Sequence, residues 1–517
     1  MAHDKRVAVP LRSRRHPVVY EVNARVLVNE LPRTGARKRS LSSVPESVMD
    51  GWARLGFDAI WLMGVWSTGD IGLEIARSHA GLNDEYRKVL PDLREEDIGG
   101  SPYAVRAYEV SPALGGNDAL RTFRARLAER GIGLLLDFIC NHTARDHEWI
   151  LGHPEYYVLG SQGDDTGHPD MFFKTRTAKG DRVVAFGRDP MFPGWTDTAQ
   201  INHAHSGARG AMVETLKEIA GMCDGVRCDM AMLALRSVFE RTWGEKAAGH
   251  SRDAVQGEFW KEAIAEVRKI APDFLFMAEA YWNLEWELQQ LGFDFTYDKT
   301  LYDRLLREGA VAVHDHLKAE MAYQRRSVRF IENHDEQRAA AALPSHAWHG
   351  AAAVVISTVP GMVLLHEGQL EGRTIKLPVQ LVRRPVEPAS PRLRAFYERL
   401  TACIHHPVFE NGEWKLLQTR PGWHDNYTWQ NFLVFWWQDP SCGARLVVIN
   451  YAPLSGQCYV DFPMDMLEGT PLEFRDLLSE AVYVRDRGAI ASKGMYFDLS
   501  GYGIHLFEVF AGRKSAR

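Results

Sequence analysis

Ile132-Gly-Leu-Leu-Leu-Asp137-Phe-Ile-Cys-Asn141-His142 is an apolar run that closes on an acid, an amide and an imidazole. The pattern recurs along the chain. Gly225-Val226 leads into Arg227-Cys-Asp229, Phe274-Leu-Phe-Met-Ala278 into Glu279, and Val328-Arg-Phe-Ile331 towards Asn333-His334-Asp335. Each run is short and apolar enough to form a strand buried on both faces. Further strands are expected at Val18–Val22, Phe57–Leu62, Phe293–Tyr297 and Ala353–Ser357, and the Val328 run is taken to start at Ser327. Between strands lie helix patterns such as Asn117 to Gly131, amphipathic, with a polar start and a glycine stop. Alternating strands and helices predict a parallel (β/α)8 TIM barrel. In such a barrel chemistry gathers at the C-terminal ends of the strands.

The expected barrel occupies residues 1–142 and 204–404. About 60 residues after His142 are rich in Gly, Asp, Pro and aromatics, too long for a plain connection. They predict a short inserted domain, residues 143–203. From about residue 405 the texture changes to short aromatic and β-branched runs separated by turns, including Phe432-Leu-Val-Phe-Trp-Trp437 and Leu446-Val-Val-Ile-Asn450. That pattern predicts a C-terminal all-β sandwich over residues 405–517.

At 517 residues the chain exceeds one core. With 45% hydrophobic and 25% charged residues it has the composition of an ordinary soluble protein. A net charge of -6 offers no footprint for nucleic acid, and no apolar run is long enough to span a membrane. The basic start, Lys5-Arg6 and Arg12 to Arg15, is not followed by a signal-peptide apolar region. Six cysteines without CxxC spacing read as thiols rather than disulfides, and the expected location is cytoplasmic. His142 and His147 with Asp146, and His203 with His205, have neither HExxH nor CxxC character, so no zinc site is expected. Oligomeric state is not legible from the sequence.

A single Asp at a strand end is most often a cap or an ion-pair partner. Asp229, Glu279 and Asp335, delivered from three strand ends, are a different matter, because converging carboxylates cost folding energy that a purely structural role does not repay. They supply what a retaining glycosidase needs: a nucleophile, an acid/base and a group that positions the sugar. Arg227, two residues before Asp229 on the same strand face, would hold that carboxylate ionised. Cys228 points to the opposite face. The apolar neighbours of Glu279 (Phe274, Phe276, Met277, Ala278, Ala280) would favour its protonated form by desolvation.

These residues resemble, in order, the four signature regions of the α-amylase superfamily, glycoside hydrolase family 13: Asp137, Asn141 and His142; Arg227 and Asp229; Glu279; His334 and Asp335. Gln200-Ile-Asn202 resembles the family's fifth region. The resemblance covers roughly residues 16 to 400 and implies Asp229, Glu279 and Asp335 as catalytic, with Tyr103, His142, Arg227 and His334 binding substrate and Asp137 supporting them; Trp282, just after Glu279, is a further substrate-binding candidate from its position. Tyr103 matches the family's stacking platform; an aromatic face suits the C–H surface of a sugar. The implied substrate is a small α-glucoside or oligosaccharide, and no cofactor is expected. Many relatives hold calcium through the asparagine that aligns with Asn141, together with an Asp-x-x-Lys-His stretch. Here that stretch is Asp229-Met-Ala-Met-Leu233, which argues against calcium. Gly100 stands where several α-glucosidase-like relatives carry Asp, so no subgroup specificity carries over. Met232 and Leu233 suggest either an apolar leaving-group side or simple packing in the following helix, and Trp195 and Trp282 stacking surfaces; the first reading favours short substrates over starch. Three alternatives stay open: a transglycosylase of trehalose synthase or glucanotransferase type, a starch-cleaving α-amylase, and a non-catalytic carbohydrate-binding barrel.

Overall fold

A computed structural model describes residues 10–32, 38–248, 257–464 and 471–511. The basic pair Lys5-Arg6 lies outside them. Eight strands form a closed parallel barrel: β1 (Val18–Asn23), β2 (Ala59–Met63), β3 (Gly133–Ile139), β4 (Gly225–Asp229), β5 (Leu275–Ala278), β6 (Phe295–Tyr297), β7 (Ser327–Arg329) and β8 (Met362–His366). Neighbours in the barrel are neighbours in sequence, the order a chain of β–α units gives when each helix returns the next strand alongside the last. The strands read as apolar runs because they are covered on both faces; β2 and β5 are buried at every position.

The chain divides into two units. One holds residues 10–13, 20–297 and 376–386, the other residues 14–19, 298–375 and 387–511 among those described. Within the first, β4 sits between β3 and β5, pairing Arg227 with Asp137 and Met277, and Asp229 with Ile139. Residues 143–203 belong to this unit. The segment leaves the barrel as strand His142–Ala144 and returns antiparallel to it as Thr198–Gln200, with a hairpin of Phe172–Thr177 and Gly180–Ala185 between them. Val158, Phe172 and Ala185 pack it against Phe239 and Trp243.

In the second unit the C-terminal strands make a six-stranded antiparallel sheet ordered Glu413–Leu416, Phe432–Asp439, Gly443–Asn450, Ile504–Ala511, Leu472–Asp476, Val482–Arg485. A three-stranded sheet of Thr419–Arg420, Gly456–Val460 and Met495–Leu499 shares a core with it, built from Val434, Trp436, Leu446, Cys458, Phe497 and Phe507. Phe435, Trp436 and Trp437 are all buried. None of the three is displayed for a ligand, and Trp437 Nε1–H donates to the Thr358 carbonyl at 2.7 Å.

One expected strand is a helix. Ala353–Ser357 lies inside the helix His346–Thr358, started by the Ser345 side chain accepting from the Trp348 N–H; the eighth strand is Met362–His366. From His349 to Thr358 every residue is buried, so the helix has no polar face to betray its 3.6-residue period. The six cysteines are free thiols: Cys140, Cys223, Cys228 and Cys458 are buried, Cys403 and Cys442 half-buried. Among the described residues no helix is long and apolar enough to cross a membrane.

Candidate active site

Arg227 organises the first unit's strand ends. It is completely buried in the middle of β4. Its Nη1 lies 2.6 Å from Asp229 Oδ1 and 3.7 Å from Asp137 Oδ1, and its Nη2 lies 2.8 Å from Glu279 Oε2. The rings of Trp61, Tyr103 and Tyr297 surround the guanidinium at 5.3, 5.4 and 5.8 Å. Burial works against its charge, but Glu279, Tyr297, Tyr103 and Asp229 outweigh burial and hold Arg227 well above its ordinary value. The cation is therefore permanent. It offers adjacent nitrogens to two carboxylates, as a planar guanidinium can and an ammonium cannot.

Asp229 ends β4, and the backbone turns abruptly after it. Met230 adopts a left-handed conformation with φ of 42°. This points the Met230 N–H at Glu279 Oε2, 2.6 Å away, while the next N–H, of Ala231, donates to the Glu279 carbonyl at 3.1 Å. Tyr281 Oη–H donates to Glu279 Oε1 at 2.8 Å. The purely apolar pocket expected for Glu279 is thus replaced around its oxygens by Arg227, a main-chain N–H and a phenol. The neighbouring Phe276, Met277, Ala278 and Ala280 are buried. Trp282 and Asn283, just beyond, also have φ near 60° (64° and 61°), and Trp282 is 37% exposed. Left-handed non-glycine residues carry strain, and three of the six among the described residues lie on the loops after Asp229 and Glu279.

Asp137, in β3, accepts from Trp61 Nε1–H at 3.2 Å and from the Gly64 N–H at 3.4 Å. Arg227 Nη1 lies 3.7 Å from its Oδ1. His142 is buried, stacks obliquely on Trp195 at 5.2 Å and hydrogen-bonds to the Tyr103 main chain. Burial holds its imidazole below the ordinary range although Asp229 and the Tyr103 contact pull it upward, so it stands neutral at pH 7 and can both donate and accept. Tyr103 is half-buried on a turn steadied from below by Arg25, whose Nη1 donates to the Gly99 and Gly100 carbonyls at 3.1 and 2.9 Å.

In the second unit, Asn333, His334 and Asp335 follow β7. Asn333 Oδ1 accepts from the Asp335 and Glu336 N–H groups at 2.9 and 3.0 Å, folding the segment into a tight turn. His334 Nε2 lies 2.9 Å from Asp335 Oδ2; the Asp335 side chain is 43% exposed. The turn hangs from Glu332, fully buried and held by Arg338, by His366 Nδ1 at 2.9 Å and by the Ala339 N–H at 2.7 Å. Burial pushes the Glu332 carboxyl up, but Arg338 and His366 outweigh it and hold it below its usual value.

The first unit thus gathers Tyr103, Asp137, His142, Arg227, Asp229 and Glu279, and leaves Trp282 on the exposed loop beside them. Sequence reasoning missed Trp61, Tyr281, Tyr297 and the Met230 N–H. Tyr297 had a readable signal, a tyrosine closing an apolar strand; the Met230 turn had none. Met232 and Leu233, expected to wall the leaving-group side, are instead buried in the short 3-10 turn Ala231–Ala234, so they offer a sugar no surface. The turn that Met230 starts drives them inward.

Calcium can be tested against the donors present. Asn141 Oδ1 accepts from Gln200 Nε2–H at 2.9 Å, and the Asn141 carbonyl accepts from Gln200 Nε2–H and the Ile201 N–H, both at 3.0 Å. The oxygens that would ligate a cation are facing hydrogen-bond donors. Among the described residues, no group of three His, Cys, Asp or Glu side chains is placed to hold a metal ion. The residues do not fit the ion.

A closed parallel barrel with carboxylates gathered on a buried arginine at the strand ends defines a class, the barrel enzymes whose chemistry lies at that rim. Residues 49–377 match the family described as alpha amylase, catalytic domain, and the chain belongs to that family. Among curated relatives it is 24% identical over 364 residues to alpha-amylase MalA of Haloarcula japonica, covering 69% of this chain and 44% of that protein. It is 30% identical over 149 residues to an alpha-1,4-glucan:maltose-1-phosphate maltosyltransferase of Rhodospirillum rubrum, covering 28% and 19% respectively. The chain thus spans less than half the length of either relative. Among solved structures, a maltogenic alpha-amylase, AmyB, of Thermotoga neapolitana matches 98% of this chain and 100% of its own with a TM-score of 0.67 at 18% identity, a likeness of fold.

Proposed function

We propose that this protein is a retaining enzyme that cleaves α-glucosidic bonds by double displacement, with Asp229 as nucleophile and Glu279 as acid/base. The observation that carries the reading is the bridging of Asp229 and Glu279 by adjacent nitrogens of Arg227, at 2.6 and 2.8 Å. A cation shared in this way keeps two carboxyls close, and a separation of roughly 5 to 5.5 Å suits a covalent glycosyl-enzyme and leaves no room for direct attack by water. Asp229 attacks the anomeric carbon while Glu279 protonates the departing oxygen. Glu279 then takes a proton from water, or from a sugar hydroxyl, which breaks the ester to Asp229. Bringing Glu279 into its acid form requires its oxygens to be released from Arg227 and Met230. Tyr281, which donates to the same carboxyl, would help set when that happens. His142 holds sugar hydroxyls and Tyr103 stacks beneath the ring, and His334 and Asp335 keep the sugar-binding roles that the family resemblance implies for them. The two carboxyls supply all the proton and covalent chemistry, so turnover needs no cofactor.

The substrates proposed are short α-glucosides or maltooligosaccharides. In support, no Lys-His pair follows Asp229 to bind a sugar beyond the cleaved bond, and Trp195 and Trp282 remain as stacking surfaces. Transfer to a sugar acceptor is a second reading, favoured by the likeness to a protein named as a maltosyltransferase. Proton NMR of the first-formed sugar from maltotriose, with and without added acceptor, tests both. The α anomer is expected first, and β anomer would refute retention. New acceptor-linked products would favour transfer, whereas clear preference for soluble starch would end the short-substrate reading.

A further inference from the structure

Gln200 is completely buried at the end of the strand that returns from residues 143–203 to the barrel, where it pairs with His142. Its side-chain nitrogen is ringed by three oxygens: Asn141 Oδ1 at 2.9 Å, the Asn141 carbonyl at 3.0 Å and the Ile201 carbonyl at 3.1 Å. An NH2 group carries two hydrogens, so one is shared between two acceptors. Three convergent oxygens, two of them main-chain carbonyls, are the surroundings a hard cation collects. Beside it the crossing is also closed by His203 Nε2, 3.0 Å from the Cys140 carbonyl, and by the Ile201 N–H donating to the Asn141 carbonyl.

We infer that the Gln200 amide nitrogen does the work of a cation at this crossing, tying the segment after β3 to the returning strand and so fixing the backbone that presents His142. The argument is one of charge and donor number. With NH2 inward, all three oxygens find a donor. With an ionised oxygen inward, four oxygens would face one another with no proton between them, an arrangement that a bound cation relieves and that otherwise drives the carboxyl to take up a proton. Exchanging the NH2 for oxygen without changing side-chain shape should therefore convert the crossing from cation-independent to cation-requiring. Gln200 touches none of the reacting groups; its role is to position His142.

The test is thermal melting of the wild type and of Gln200→Glu, each exhaustively treated with chelator and then titrated with calcium. The wild-type melting temperature should be the same in chelator and in millimolar calcium. Gln200→Glu in chelator should melt lower by roughly 3 °C or more and regain most of the loss with calcium. In the metal-free variant KM should rise more than kcat falls, because His142 binds the sugar, and calcium should reverse that change. A wild-type melting temperature that falls in chelator and returns with calcium would overturn the inference, as would a variant that melts like the wild type without metal. The wild-type measurement decides even if the variant fails to fold.

Discussion

Replacing Arg227 with methionine removes the buried cation while keeping an unbranched chain of similar girth. In the wild type, Asp229 and Glu279 lie 2.6 and 2.8 Å from its terminal nitrogens and Asp137 lies 3.7 Å away, with the arginine itself wholly excluded from water. At an effective dielectric near 20, a unit charge pair at 4 Å attracts by about 4 kcal/mol. Deleting the arginine also removes its own desolvation cost, so the gross loss is partly offset. The net expectation is a loss of about 3–5 kcal/mol at pH 7, the range for removing one partner of a buried pair, because the carboxylates remain and now repel. Protonating one of them relieves the repulsion, so the gap between wild type and variant should narrow as pH falls. Urea unfolding at pH 7 and pH 5, at one fixed salt concentration, reads both effects. A variant within about 1 kcal/mol of wild type at pH 7, or a gap unchanged at pH 5, would show that Arg227 does not neutralise this cluster.

Asp229→Asn and Glu279→Gln should each remove nearly all turnover with an unchanged circular dichroism spectrum, since they delete the nucleophile and the proton donor at constant volume; substantial activity in either contradicts its role. Tyr281→Phe should lower kcat by about tenfold and alter the pH profile of kcat/KM without changing stability by more than about 1 kcal/mol, and a profile superimposable on wild type would remove Tyr281 from the mechanism. The fold should be acid-labile. His16, His203 and His349 are held down to about 4, chiefly by burial, against an ordinary value of 6.5. The unfolded chain then binds the extra protons, so stability is complete above pH 6.5 and is lost on acidification towards pH 4, by roughly 2 kcal/mol per histidine at pH 5. A melting temperature flat between pH 7 and pH 5 would contradict this.

The barrel was legible because strands buried on both faces write themselves as uninterrupted apolar runs, and because Arg227-Cys-Asp229 alternates faces within a single strand. Legibility failed where a helix was equally enclosed: Ala353–Ser357 is as apolar as a strand and has no polar side to set its period. The cluster was readable as a set of residue types, since carboxylates at strand ends are visible in one dimension. Its wiring was not. That Arg227 reaches Glu279 as well as Asp229 depends on the register of β4 against β5. The donation from the Met230 N–H depends on a left-handed backbone at a residue that seldom adopts one. The same turn inverted the reading of Met232 and Leu233, whose apolarity marks packing. Gln200 was noticed only as part of a motif, because the three oxygens around its nitrogen come from residues 59 positions apart and from its own neighbour.

The assignment of Asp229 and Glu279 is tested most directly by trapping the covalent intermediate. A glucosyl fluoride needs no acid to lose its leaving group, so Glu279→Gln should still form the glycosyl-enzyme from it, and, lacking a base, should break it down slowly. Mass spectrometry of the intact variant should show the addition of one glucosyl group, and peptide mapping should place it on Asp229. The Asp229→Asn, Glu279→Gln double variant should gain nothing. An adduct on any other residue, or no adduct while the single variant still consumes the fluoride, would contradict the mechanism.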